Sequence, residues 1–225
     1  MANVEHSVLT GSDLHESKGV AAAAANKVFV TNGAGSGSFT TVPASAITAA
    51  GVLVFQAQLY HIRASFSNGT DGGSLSTGTW NTREINTEMT DDLTITTAGN
   101  QMSLAAGTYW LEAEATTNFT GNFQRGTTEI ATSKLRLRNI TDTATLLTGM
   151  SGRLAVIDDG GGNDESADFS IHTTMCGRFT LGGTKSVEIQ NYTTNNLSSP
   201  GIKGGKAVSS GENEVYLDLK LWKIS

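Results

Sequence analysis

The chain has 225 residues, 38% of them hydrophobic and 16% charged, with 26 glycines and two prolines. That composition suffices for one sizeable core, or one core with an appendage, and argues against two large domains. A net charge of −6 with scattered Lys and Arg argues against nucleic acid as a partner, because such a footprint needs clustered cations.

No stretch approaches the roughly 18 apolar residues of a membrane span, and no basic segment with a following apolar run opens the chain, so neither membrane insertion nor a secretion signal is expected. Without such a signal, the N-x-[ST] sequons at Asn68, Asn118, Asn139, Asn191 and Asn196 are read as unglycosylated.

Residues 1–51 read as an appendage. They hold an acidic, His-containing turn, five consecutive alanines from Ala21 to Ala25, a short apolar strand at Val28 to Val30, the glycine-serine stretch "TNGAGSGSF", and "TTVPASAITAAG" with one proline and room for one helical turn. The glycine stretch invites a phosphate-loop reading. That reading fails because no Lys-Ser/Thr pair follows, the third glycine of GxGxxG is absent, and no amphipathic helix begins there. A linker or tight turn fits better.

From residue 52 onward the apolar pattern has period two, with turn residues at short intervals, which predicts short antiparallel strands in a sandwich or barrel. In chain order the candidate strands are "LVFQAQLYHI", "LTIT", "TYWLEAEA", "KLRLRNI", "GRLAVI", "DFSIHTTMCGRFTL", "SVEIQNY" and "EVYLDLKLWKI", about eight to ten strands in all. Glycine-rich "SNGTDGG", "TAGN", "DDGGGNDE" and "LGGT" punctuate them as turns. In "TYWLEAEA", Tyr109, Leu111, Ala113 and Ala115 face the core, opposite Trp110, Glu112 and Glu114. In "KLRLRNI", Leu135 and Leu137 face in, and Lys134, Arg136 and Arg138 form the wet face. In the closing strand Val215, Leu217, Leu219 and Leu221 are predicted inward, with Tyr216, Asp218, Lys220 and Trp222 outward.

Candidate chemistry is sparse. Cys176, the one cysteine, excludes an internal disulfide and reads as a small buried apolar residue. "DDGGGNDE", with Asp158, Asp159, Asp164 and Glu165, lacks the alternate ligand spacing of a calcium loop and reads as a hairpin tip. His6, His15, His61 and His172 lack metal-ligand spacing. No nucleophile, base and orienter can be named together, so no enzyme, cofactor or metal centre is expected. One pattern is more specific. Trp110, Tyr216 and Trp222 fall opposite the aliphatic positions of their strands, where a monomer normally shows polar groups, and this points to burial against another chain. The alternative is that they cover one another or a flanking loop.

Two resemblances follow from these stretches. The opening "LTGSDLHESKGVAAAAANKVFVTNGAGSGSF" resembles the N-terminal segment of head fibre proteins of tailed bacteriophages: a D-x-L-H-x-x-K-G-V turn, small residues, a V-[FY]-V strand, then G-A-G-S-G ending in an aromatic. The carrying positions are Asp13, Leu14, His15, Lys18, Gly19 and Val20, then Val28, Phe29 and Val30, then Gly33 to Gly37 and Phe39. The match covers about the first forty residues. The remainder is similar to the trimeric jelly rolls of the tumour necrosis factor and complement globular-head class. Here the carriers are "AAGTYWLEAEA", "GRFTLGGTKSVEIQNYTT" and "EVYLDLKLWKI". It lacks that class's aromatic-rich first half and its F-x-G-F close, so those families' ligands are not carried over.

These resemblances imply an all-β protein with a single antiparallel jelly-roll sandwich at 52–225, trimerising through Trp110, Tyr216 and Trp222. An extended anchor at 1–51 would order on a partner. They further imply a head fibre or decoration protein on the capsid surface of a virion. The major capsid protein would meet Asp13, Leu14, His15, Lys18, Gly19, Val20, Val28, Phe29, Val30 and Phe39, and a host cell-surface glycan is a further partner. The rival reading is a tail-borne receptor-binding protein or polysaccharide depolymerase.

Overall fold

The structure, a computed structural model, describes residues 28–31, 37–40, 58–122, 128–157 and 166–224. The chain divides into two units, Met1–Gln56 and Ala57–Ser225. In the first, β1 (Val28–Thr31) pairs antiparallel with β2 (Gly37–Thr40), Phe29 opposite Phe39. A hairpin, not a helix, follows the first strand, so the glycine stretch lacks the context a phosphate loop requires. Positions Asp13, Leu14, His15, Lys18, Gly19 and Val20, and the loop from Asp158 to Glu165, lie outside the described residues.

The second unit is an antiparallel jelly-roll sandwich. One sheet runs β10 (Ala144–Ile157), β9 (Thr128–Asn139), β12 (Lys185–Asn195), β7 (Gln101–Leu104) and β6 (Thr96–Ala98), with β4 (Trp80–Thr82) also pairing β12. The other runs β11 (Ser166–Leu181), β8 (Gly107–Asn122), β14 (Glu214–Lys223), β3 (Leu59–Phe66) and β5 (Thr87–Asp91), with β13 (Ser198–Lys203) also pairing β8. From β3 to β14 the chain crosses between sheets at every step except β6 to β7, β9 to β10 and β13 to β14. This alternation makes the sandwich a jelly roll rather than two stacked meanders. Among the described residues no helix is long and apolar enough to cross a membrane.

Period-two patterning sets which side chains meet between the sheets. Leu111, Leu135, Leu137, Ile189, Leu219 and Leu221 are fully buried in the main core, as alternation predicts. A smaller cluster of Phe119, Ala131, Ile171, Leu197 and Ile202 fills the far end, where the Phe119 and Phe169 rings stack 5.6 Å apart.

A polar layer separates the two clusters along the same strands. Thr117, Ser133 and Asn191 have no exposure at all. Thr117 Oγ1 donates to Asn191 Oδ1 at 2.7 Å, and Asn191 Nδ2 donates to Ser133 Oγ at 3.0 Å. Arg83, 3% exposed, enters this layer just after β4. Its Nη1 donates to Thr116 O (2.9 Å) and Asn191 Oδ1 (3.2 Å), and its Nη2 to Gly204 O (2.6 Å) and Tyr216 O (3.0 Å). Carbonyl oxygens stand in for a carboxylate around this cation, and burial pushes its pKa down to about 10. Asn118, Asn139 and Asn191 are buried, so the fold leaves no room for glycan on these three sequons.

Two expectations are corrected here. Tyr216 is inward and 5% exposed, while Val215 is outward and 43% exposed. The register against β3 slips there, with Val215 opposite Ser65 but Leu217 opposite Ala64. A bulge of this kind resets inward and outward parity over one residue. Cys176 is exposed rather than buried. Its neighbour Met175 takes the inward position in β11, 2% exposed, and strand parity outranks the usual preference of cysteine for the interior.

Candidate functional site

The outward face of the β11-β8-β14-β3-β5 sheet carries two of the three residues expected at an interface. Trp110 on β8 stands directly opposite Trp222 on β14, and both are half-buried. Trp110 Nε1 donates to Glu112 Oε1 at 3.1 Å. Leu59 sits beyond Trp222 and Arg178 beyond Trp110 in the same cross-strand row. Tyr216 does not join this face. Its hydroxyl donates to Thr70 O at 2.8 Å, its ring lies 5.5 Å from Phe66, and burial holds its pKa up at about 12. Val215 takes the outward place instead.

Below the tryptophans the face is charged. Glu112 faces Cys176 and Lys220, and Glu114 faces Asp218. Like charges directly opposite one another are unfavourable, and Asp218 is neutralised from its other side. Arg63 Nε donates to Asp218 Oδ2 at 2.6 Å, His61 Nε2 lies 3.0 Å from Oδ1, and Lys220 Nζ lies 3.8 Å away. Burial works against the Asp218 charge, but the Arg63 and His61 contacts outweigh it and leave its pKa below the ordinary carboxylate value. Glu112, Glu114, Thr174, Cys176, Asp218 and Lys220 line a shallow depression of about 250 Å³. It is open and polar, which suits a docking face better than a closed reaction site.

A second apolar surface lies at the edge strand β10, where Met150 is 72% and Leu154 36% exposed. This edge closes tightly on the other sheet: a Cβ on Gly152 would stand 2.4 Å from Ile171 Cγ2 on β11. Among the described residues no three His, Cys, Asp or Glu side chains are grouped to hold a metal ion.

Loop chemistry that the sequence did not disclose frames the end of the sandwich near Tyr216. Asp71 accepts from Ala207 N (2.8 Å), Lys203 Nζ and Lys206 Nζ (3.2 Å), and these donors hold its pKa well below the usual carboxylate range. Glu214 accepts from Ser209, Gly69 and Val208 backbone N–H groups. Both carboxylates are spent on tying loops together. The missed cluster of Trp80, Tyr192 and Arg136 lies on the opposite sheet.

No family model and no curated protein matches the chain. Among solved structures the chain is similar to the globular domain of zebrafish complement 1qA protein. The two are 10% identical with a TM-score of 0.37, and the match covers 75% of this chain and 97% of that one.

Proposed function

We infer that this protein is a structural binding protein of a phage virion, a head fibre or decoration protein. Residues 1–51 hold it to the major capsid protein, and its jelly roll self-associates as a trimer. The virion assignment draws support from the resemblance of the first forty or so residues to head fibre anchors. The observation that carries self-association is the pairing of Trp110 with Trp222 on the outward face of the sheet, together with Met150 and Leu154 exposed on a different edge. A face meeting an edge is a heterologous contact, and such contacts close into rings when the rotation permits. Three copies would then multiply individually weak contacts to capsid and to host-cell glycan. The mechanism is binding, not catalysis.

Immunogold labelling of intact virions tests the location. Gold on heads, lost when residues 1–51 are deleted from the chain, is the expected result. Gold confined to tails, or heads decorated at full occupancy by the truncated chain, would overturn the head assignment.

A further inference from the structure

The outward face of the other sheet holds a group of side chains that the reading above leaves unused. Tyr192 on β12 stands opposite Trp80 on β4 and opposite Lys134 on β9. The Trp80 and Tyr192 rings lie 5.3 Å apart at 53°. Arg136 places its Cζ 4.0 Å from the Trp80 ring centroid, and its Nε donates to Gln190 Oε1 at 2.6 Å. One hydrogen bond and one ring contact thus fix the guanidinium plane, while its two terminal nitrogens hold no hydrogen bond among the described residues. Trp80, Tyr192, Arg136 and Lys134 are half-buried rather than covered.

The loop that presents Trp80 is pinned. Asn81 accepts from Ser76 N at 2.8 Å and donates to Ser76 O at 2.8 Å and Thr79 O at 3.1 Å. Gly78 N donates to Thr193 O at 2.7 Å. Ordering of this surface therefore precedes any binding, and preorganisation of that kind lowers the entropic cost of recognition.

The charge here runs against the molecule. The chain carries −6 overall, yet Lys134, Arg136 and Arg138 project from one face of β9, and none forms an ion pair among the described residues. Glu188, opposite Arg138, is occupied: it accepts from Thr82 Oγ1 (2.9 Å), Gln190 Nε2 (2.5 Å) and Gln101 Nε2 (3.2 Å). Partial burial, and then Arg138, push the Arg136 pKa down, with Glu188 opposing.

We propose that Trp80, Tyr192, Arg136 and Lys134 form a binding subsite for a carboxylate-bearing sugar, a uronic or sialic acid residue of a surface polysaccharide. The apolar C–H face of the ring rests on the exposed aromatic surface. The carboxylate meets the Arg136 fork, with Lys134 adding a point charge. A planar guanidinium matches a carboxylate in a way a lone ammonium does not, and aromatic rings offer large contact area with little rotamer entropy. Nucleic acid is disfavoured, because three cations on a chain of net charge −6 cannot neutralise a phosphate track. The subsite lies on the opposite sheet from Trp110 and Trp222, and it borders the β10 edge, where Ser151 stands opposite Lys134. It rests on the reading above only in taking surface polysaccharide as partner. Labelling and sedimentation test location and assembly separately, so either can fail without the other.

The test follows the ¹⁵N-indole resonances of the full chain, one each for Trp80, Trp110 and Trp222, during titration at low salt with oligogalacturonate and, separately, with sialyllactose. Maltohexaose serves as the neutral control and tripolyphosphate as the ring-free anion. At least one acidic sugar shifts the Trp80 resonance while Trp110 and Trp222 stay in place, and maltohexaose does not. Arg136→Gln weakens that binding about ten-fold or more, the size of losing roughly 1.4 kcal/mol, while unshifted Trp110 and Trp222 resonances in the absence of ligand show that the fold is intact. Tyr192→Ala weakens it too. No response to either acidic sugar, a response unchanged in Arg136→Gln, or equal binding of tripolyphosphate would each overturn the proposal. The last outcome would leave only bare charge attraction.

Discussion

Tyr216 lies so closely over Gly205 that a Cβ on the glycine would stand 1.9 Å from Tyr216 Cδ1 and 2.3 Å from Cγ. The bulge that turns Tyr216 inward thus needs a residue without a side chain beneath it. Overpacking at such a contact costs roughly 1–3 kcal/mol. Gly205→Ala is expected to lower the unfolding free energy by that amount, read as a lower urea midpoint with an unchanged slope. Combining it with Tyr216→Leu should cost less than the sum of the two changes, because the variants share one contact. Strict additivity would mean that ring and glycine do not press on one another.

Arg83 is the second place where the ends of the sandwich are joined. Its four donated hydrogen bonds reach β8, β12, β14 and the Gly204 loop. Arg83→Met keeps an unbranched apolar stem but removes the guanidinium and leaves buried oxygens without donors. The expected loss is about 3–5 kcal/mol, read by urea denaturation. A variant as stable as the parent would show that water fills those positions at no cost.

The Asp218 cluster predicts an acid limb. A carboxylate whose folded pKa is depressed contributes stability that is fully present above its unfolded value, 3.8 here. That stability is lost as pH falls through the lower folded value. Between those pH values Asp218→Asn should show a shallower loss of stability than the parent, since the amide does not titrate. Parallel profiles would remove Asp218 from the account. Asp71, shifted in the same direction, remains in both proteins and keeps some acid dependence.

Much of this was legible in the sequence because strand parity is local. In "KLRLR" the outward cations and inward leucines follow from alternation alone, and the same holds for "TYWLEAEA" through Ala115. Parity fails where the ladder slips: nothing in "EVYLDL" announces the bulge between Val215 and Leu217, because what selects it is Gly205, ten or so positions away in a loop. Cys176 is the reverse case: the preference of cysteine for the interior points inward, but Met175 holds the inward position next to it and parity turns Cys176 out. Contacts that cross the sandwich were beyond reach. The Asp218 cluster joins residues 155 and 157 positions apart, and Trp80 meets Arg136 only because β4 and β9 flank β12. Trp80 follows a turn rather than an alternating run, so no periodicity marked its face.

The central claim is self-association through the Trp110 face. Sedimentation equilibrium of the full chain at micromolar concentration measures it directly. The expected mass is three times the 23.5 kDa of the chain, falling towards a single chain in Trp110→Glu, because a charge on that face would be buried without a partner in the assembly. A parent protein that sediments as a monomer across that range, or a Trp110→Glu variant as heavy as the parent, would contradict it.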